Sequence, residues 1–346
     1  MKTKQKLVDS IYLNSEGGKV ILFQLIKYLI QNNSISNFFF LIDKRISRKD
    51  IELDNSNYQF LAPSENSRKE FYLKNKNRFH KIICLSNIPP PINLTSKVYV
   101  YFHNALLLKP LISPLSIKDK LVNILKKTYI KYLNDKSYNW IVQTDLMKKN
   151  LVSSLYILKE NVTVIPFFND EISSKQNIKI KNKFVYVSSI SKHKNHIRLF
   201  KGFIDATKRI NDKVELHLTI PENEFSKSVY NNYKKPKNLK IINHGIIDKK
   251  ELSVLYSSSE FSIFPSLIES FGLPLIESVN NNCIVIASNL EYVNEIIRPS
   301  LKFDPKSVKS ISYSIISAIR SSDLKESKLL VQNKIDTFVK YISRNV

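Results

Sequence analysis

Glycine is almost absent from this 346-residue chain: there are five, Gly17, Gly18, Gly202, Gly245 and Gly272. A chain that avoids glycine keeps it mainly where a side chain will not fit or where φ must be positive. Four of the five fall at expected strand–loop or loop–helix junctions, whereas Gly202 falls inside an expected helix with no such reason visible. Cysteine is scarcer still. Cys84 and Cys283 each sit in an apolar run and read as buried free thiols. No CxxC pair or Cys/His cluster points to a metal site. No run approaches the roughly 18 apolar residues of a transmembrane helix. The basic start, MKTKQKLVDSIYLNSEGG, has too short and broken an apolar run for a signal peptide. The expected location is therefore cytoplasmic.

Acidic residues are few beside basic ones, 30 against 54, for a net charge of +24. Such a surface attracts anions: nucleic acid, acidic headgroups or phosphorylated substrates. A general bias toward Lys, Asn, Ile and Ser is the plain compositional alternative. The 43% hydrophobic content argues for a globular chain, long enough for two domains.

Short apolar strands alternate with amphipathic helices, the pattern of βαβ units and parallel sheets. Strands are expected at 6–13, 37–42, 81–86, 97–103, 139–144 and 162–166, with helices at 18–31, 66–78, 116–134 and 145–157. The polar stretch 169–182 lacks a sustained apolar period and reads as a linker between an N-terminal domain, 1–168, and a C-terminal one, 183–324. The alternation restarts with strands at 183–189, 213–220, 239–244, 260–265 and 283–288, and helices at 195–209, 248–258, 271–281, 291–297 and 307–321. The last segment, 325–346, is expected to be helical over 325–343 and to pack back on the first domain.

The most informative stretch is 261–297. A buried strand ends at Pro265, a polar loop carries Ser266 and Glu269, and a helix is expected from about Phe271 with Ser270 as its N-cap. Gly272 allows close backbone approach, and a helix start with free N–H groups suits a diphosphate. Glu269 and Glu277 are eight residues apart. On one helix that is about 12 Å, outside the roughly 5–9 Å of a glycosidase pair. It suits two carboxylates gripping different hydroxyls of one extended ligand; two solvated glutamates on a helix face are the plain alternative.

Pro265-Ser266-Leu267-Ile268-Glu269-Ser270-Phe271-Gly272-Leu273-Pro274-Leu275-Ile276-Glu277 resembles the P-S-x-x-E-x-F-G-x-P-x-x-E signature of the family 4 retaining nucleotide-sugar glycosyltransferases. The resemblance implies the GT-B fold: two Rossmann-like α/β domains facing across a cleft, with a C-terminal helix returning to the first. It implies that Glu269 contacts the donor sugar and that Glu277 holds the ribose hydroxyls. Ser270, Phe271, Gly272 and Leu273 would line the donor, their backbone N–H groups facing sugar and diphosphate. The segment from Val185 to His196 is similar to the family's phosphate-binding segment, which assigns Lys194 to the donor phosphates. An arginine common ahead of that lysine in the family is absent; Ser188, Ser189 and His193 stand there. Gly245 resembles the family's turn near the nucleobase, and the Gly17-Gly18 pair its glycines beside phosphates and acceptor. His103 resembles a cleft histidine that contacts sugar or acceptor; a hydrogen-bonded structural histidine is the alternative. Thr144 is given a minor role. The implied reaction is retaining and metal-independent, since no Asp-x-Asp motif occurs, and uses no cofactor beyond a UDP- or GDP-sugar substrate.

Segment 116–136 places Ile117, Leu121, Ile124, Leu125, Thr128 and Tyr132 on one helical stripe, flanked by Lys118, Lys120, Lys126, Lys127 and Lys131. Either the stripe packs on the domain's own sheet, or the helix lies on an anionic membrane. The second option, with the charge, suggests a lipid-linked saccharide acceptor at the inner membrane face, in bacterial O-antigen or capsule synthesis, and no nucleic-acid partner. Two rivals stand beside this expectation: a nucleotide-sugar epimerase or hydrolase of the same fold, and a non-enzymatic basic protein binding membrane or nucleic acid.

Overall fold

A computed structural model describes the chain except for residues 1–4, 15, 55, 110, 112, 170–176 and 345–346. It divides into two compact units, each taken by itself: residues 1–111, 117–169 and 332–346 in one, and 112–116 with 170–331 in the other. The middle of the expected linker, 170–176, lies outside the described residues.

The first unit holds a seven-stranded parallel sheet: β1 (Lys6–Ser10), β2 (Phe38–Asp43), β3 (Tyr58–Leu61), β4 (Lys81–Cys84), β5 (Lys97–Tyr101), β6 (Asn139–Val142) and β7 (Val162–Val164), in the order β3-β2-β1-β4-β5-β6-β7. All six residues of β2, FFFLID, are buried, because a parallel sheet is covered on both faces and needs no polar alternation. Strand β3 escaped sequence reading: its YQFL is only partly buried and sits at the sheet's edge.

The second unit contains β8 (Ile180–Tyr186), β9 (Val214–Leu218), β10 (Leu239–Asn243), β11 (Ser259–Phe264), β12 (Ile284–Ser288), β13 (Ile297–Arg298), β14 (Leu301–Phe303) and β15 (Lys328–Leu329). Six form a sheet in the order β10-β9-β8-β11-β12-β14, while β13 and β15 make a separate antiparallel pair. Strand β8 starts inside the expected linker, since its first residues, Ile180 and Lys181, are exposed and carry no core pattern. Both main sheets follow the 3-2-1-4-5-6 order of a Rossmann unit.

The chain's last segment is not one helix. Residues 328–329 are strand β15, and only Ile335–Ser343 is helical. That helix buries Ile335, Phe338 and Ile342 in the first unit's core, with Phe338 against Tyr101 and Phe167. Lys81 Nζ donates to the carbonyl of Ile342, holding its last turn.

Gly202 now has its reason. Helix His196–Thr207 packs against helix Val308–Arg320, and a Cβ at Gly202 would stand 2.5 Å from Ile311 Cγ2. The glycine is needed for helix–helix approach across the fold, which local sequence does not display.

Candidate active site

In the second sheet the strand order reverses between β8 and β11. Open α/β sheets bind ligands outside the carboxyl ends of their strands at such a reversal. The loops leaving these two strands are tied together there. After β8 comes a 3-10 turn, Lys192–Lys194, and then Asn195 in the left-handed conformation, φ +62°. Asn195 Nδ2 donates to the carbonyls of Pro265 and Pro305 at 3.1 and 2.7 Å, and Leu267 N–H donates to His193 O at 2.7 Å. Tyr186, at the end of β8, donates its hydroxyl to Lys194 O at 2.8 Å, and Tyr292 donates to Ser266 O at 2.7 Å. Tyr186, Asn195 and Tyr292 were not singled out as site residues in the sequence, where they fall in the expected strand 183–189, at the start of the expected helix 195–209 and in the expected helix 291–297.

This clamp brings two expected site residues into contact. Lys194 Nζ lies 2.6 Å from Glu269 Oε1, their side chains 16% and 13% exposed. The ammonium also sits 5.9 Å from the Phe264 ring centre. A cation and a carboxylate therefore meet at the reversal point with access to solvent.

Further along, the helix starts later than expected. Gly272 is its N-cap at φ +80°, ψ +57°, and the helix spans Leu273–Asn280. A positive φ cannot belong to a right-handed helix, so Ser270 is not the cap and Phe271 is not helical. Phe271 is buried, while Ser270 and Leu273 are partly buried. A Cβ at Gly272 would meet Leu275 Cδ1 at 3.2 Å in addition to the strained φ. The helix ends as expected at its asparagines, with Asn282 left-handed at φ +55°.

Glu269 is in the loop and Glu277 on the helix, so the two do not share one helical axis. Glu277 Oε2 accepts from Tyr256 OH at 3.2 Å. Burial raises the Glu277 carboxyl above its ordinary range, against the lowering effects of the Tyr256 hydrogen bond and of Lys249. Tyr256, a partner that sequence reasoning missed, projects from helix Lys249–Ser258.

Gly245 follows β10 at the same carboxyl edge, at φ +69° with open space where a Cβ would be. Beside it His244 Nε2 lies 2.8 Å from His217 Nδ1, and Glu215 bonds the other His217 nitrogen. Ser188 Oγ and Ser189 O engage His196, whose pKa burial lowers to about 4, and burial also lowers that of His193.

Four expected site residues belong to the first unit, Thr144 among them with its minor role. Gly17 and Gly18 lie in the first turn of helix Glu16–Gln31 after β1; Gly17 is exposed and a Cβ there would meet nothing within 4 Å. His103 follows β5. Its Nε2 lies 2.9 Å from Leu85 O and 3.4 Å from Asn87 Nδ2. Its N–H donates to Asn87 Oδ1 at 2.6 Å. Burial lowers the His103 pKa to about 4, so the ring is neutral at pH 7. Thr144 is the N-cap of helix Asp145–Leu155, accepting from Met147 N–H at 3.1 Å.

Residues 168–335 match the family described as glycosyl transferases group 1. Over 157 residues the chain is 29% identical to the capsular polysaccharide biosynthesis glycosyltransferase CapH of Staphylococcus aureus, covering 44% of this chain and 43% of CapH. Over 83 residues it is 29% identical to O-antigen chain mannosyltransferase B of Escherichia coli, covering 24% of this chain and 22% of that protein. These alignments span less than half the length of either curated relative. Among solved structures, HepE of Anabaena in complex with UDP and glucose superposes with a TM-score of 0.66 at 12% identity, over 92% of this chain and 91% of that one.

Proposed function

The chain carries a glycosyl transferases group 1 domain over residues 168–335 on a GT-B fold, and from that premise we propose that it moves a sugar from a nucleotide-sugar donor to a saccharide acceptor with retention of anomeric configuration. The observation that carries the proposal is the Lys194–Glu269 contact at the strand reversal of the second sheet. Donor binding replaces this internal pair with external ones. Lys194 turns to the diphosphate and Glu269 accepts hydrogen bonds from the sugar's hydroxyls. As the glycosidic C–O bond lengthens, charge grows on the departing diphosphate oxygen, and a fixed cation there lowers the barrier. The N–H groups following Gly272 add the positive end of a helix without a side chain in the way. Glu277, partnered by Tyr256, accepts from the ribose hydroxyls. Gly245 lies toward the nucleobase. The acceptor hydroxyl attacks the face from which the diphosphate leaves. Lys194 supplies the cationic charge that a bound metal supplies in other transferases, so metal independence is part of the proposal, as is the lack of a cofactor besides the donor. In the first unit, Gly17, Gly18 and neutral His103 are assigned to phosphates and acceptor.

The donor is a UDP- or GDP-sugar. That HepE was crystallised with UDP supports the first, and that the Escherichia coli relative is a mannosyltransferase supports a hexose donor. The acceptor is a lipid-linked saccharide of a bacterial surface polysaccharide, in keeping with the capsule and O-antigen names of the relatives. The test is incubation with labelled UDP- and GDP-sugars and lipid-linked acceptor, with and without EDTA. Labelled glycolipid of retained configuration in both conditions is expected. Free sugar or epimer without glycolipid assigns the fold to hydrolysis or epimerisation instead.

A further inference from the structure

Helix Ile117–Leu133 does not use its apolar stripe to hold itself to the first unit. Among its residues only Ile130 is buried. Ile124 and Leu133 are partly buried, and hydrogen bonds add to the hold: Tyr129 OH to Glu65 Oε2 at 2.6 Å, Lys127 Nζ to Leu108 O at 3.0 Å and Lys120 Nζ to Leu111 O at 2.9 Å. The stripe faces away from them, with Ile117 80%, Leu121 57%, Leu125 70% and Tyr132 83% exposed. The sequence alternative in which this stripe packs on the sheet is overturned. The apolar surface continues beyond the helix through Tyr156, 81% exposed, whose ring carries Lys131 Nζ at 4.3 Å.

Single exposed hydrophobic residues need no explanation, but a contiguous stripe on one helix does. Its borders are charged. At 100° per residue, Lys118 falls on one side of the stripe and Lys131 on the other. The helix carries five lysines and one acidic residue, Asp119. A second copy docked on this face would bring like charges together along the rim. A negatively charged lipid surface satisfies both features at once: the apolar side chains enter the acyl boundary while the lysines, on long apolar stems, stay at headgroup level.

We infer that helix Ile117–Leu133 is a docking face for an anionic bilayer surface, with Ile117, Leu121, Leu125 and Tyr132 inserted and Lys118 and Lys131 against the headgroups. The inference rests on the exposed face itself and gives the proposed lipid-linked acceptor a physical route to the enzyme. Helix insertion is shallow and needs no membrane-spanning segment; none of the described helices is long and apolar enough to cross a membrane.

The full chain is sedimented with vesicles of phosphatidylcholine alone and of phosphatidylcholine with an equal amount of phosphatidylglycerol. Binding to the mixed vesicles, weakened by salt and at least tenfold stronger than to neutral ones, is expected. Leu121→Glu with Leu125→Glu, and separately Lys118→Glu with Lys131→Glu, should each lower the partition at least tenfold. Leu73→Glu, at a residue 55% exposed on helix Glu65–Lys74, should not. All these positions lie at the surface, and unchanged thermal unfolding confirms that the variants fold. Failure of the wild type to bind mixed vesicles, or variants that bind as it does, overturns the inference. So does a dimer of the wild type that the same variants dissociate without any vesicle binding. None of these readouts involves sugar or nucleotide, so failure here leaves transfer to a water-soluble acceptor intact, and failure of the proposed transfer leaves vesicle binding intact.

Discussion

Both main sheets reverse their strand order at the same place, between the first and fourth strands of the unit, and the two units use that place in opposite ways. In the first unit Asp9, near the end of β1, pairs with Arg68 at 2.8 Å, and both side chains are 0% exposed. Tyr72 OH donates to the same carboxylate oxygen, Ile11 N–H to the other, and Arg68 reaches Glu65 and the carbonyls of Ile88 and Pro89. Such a network has its hydrogen-bonding capacity spent internally. In the second unit Lys194 and Glu269 make a single close contact that remains in reach of solvent. A ligand can take over either side of it. Topology supplies the location in both units, and burial separates a closed network in the first from a pair that solvent reaches in the second.

The sharpest way to break this contrast is to delete one cation from each unit. Arg68→Ala strands Asp9 in the core and should cost about 3–5 kcal/mol of stability, read by urea unfolding. Lys194→Ala should cost less, since that pair keeps 16% and 13% of its side chains exposed and water can reach the carboxylate left behind. Equal losses from the two would erase the distinction. In the transfer assay the order inverts for folded protein: Lys194→Ala should lose about 10²–10³ in kcat, as removal of one stabilising donor does elsewhere.

Glu277→Gln tests whether strain sits at the chemical site. The loss of a charge-assisted bond to ribose, about 1.5–3 kcal/mol, should raise the donor KM by roughly ten- to a hundredfold. Stability should move the other way. Burial holds the folded pKa of Glu277 above the unfolded value, so the fold binds the extra proton and loses stability as pH rises through that interval. At neutral pH the variant should therefore melt higher than the wild type, and the gain should vanish in acid below the unfolded carboxyl range. A variant that melts lower, with unchanged KM, makes Glu277 a structural residue paired to Tyr256. The smallest effect is expected from Gly17→Ala. Nothing near a Cβ opposes it, so helix stability should improve by roughly 0.5–1 kcal/mol, while transfer falls because the methyl group enters the space assigned to phosphate and acceptor.

Most strands were legible because a parallel sheet writes itself as uninterrupted apolar runs, as in β2 and β12. The edge strand β3 and the short β14 lack such runs and were not. The loop 265–272 was legible as a motif, yet its local geometry was misjudged: Ser270 is a good cap by residue type, and Gly272 took the position because the chain turns there through φ +80°. The partners of the site were the least visible. Tyr186, Tyr292 and Tyr256 bury their rings like any core residue, and only their hydroxyl ends reveal the loops and the carboxylate they serve.

By itself the sequence determined that two α/β units would form, since hydrophobic periodicity is a local property, and the resemblance of two of its segments to a family's motifs marked Lys194, Glu269 and Glu277 as expected site residues. Tertiary structure alone decided that Lys194 meets Glu269 across 75 residues of chain, that Gly202 admits Ile311, and that the stripe of helix Ile117–Leu133 faces outward. Periodicity shows which side chains share a face, but what that face meets depends on elements distant in sequence, and only the folded chain brings them there.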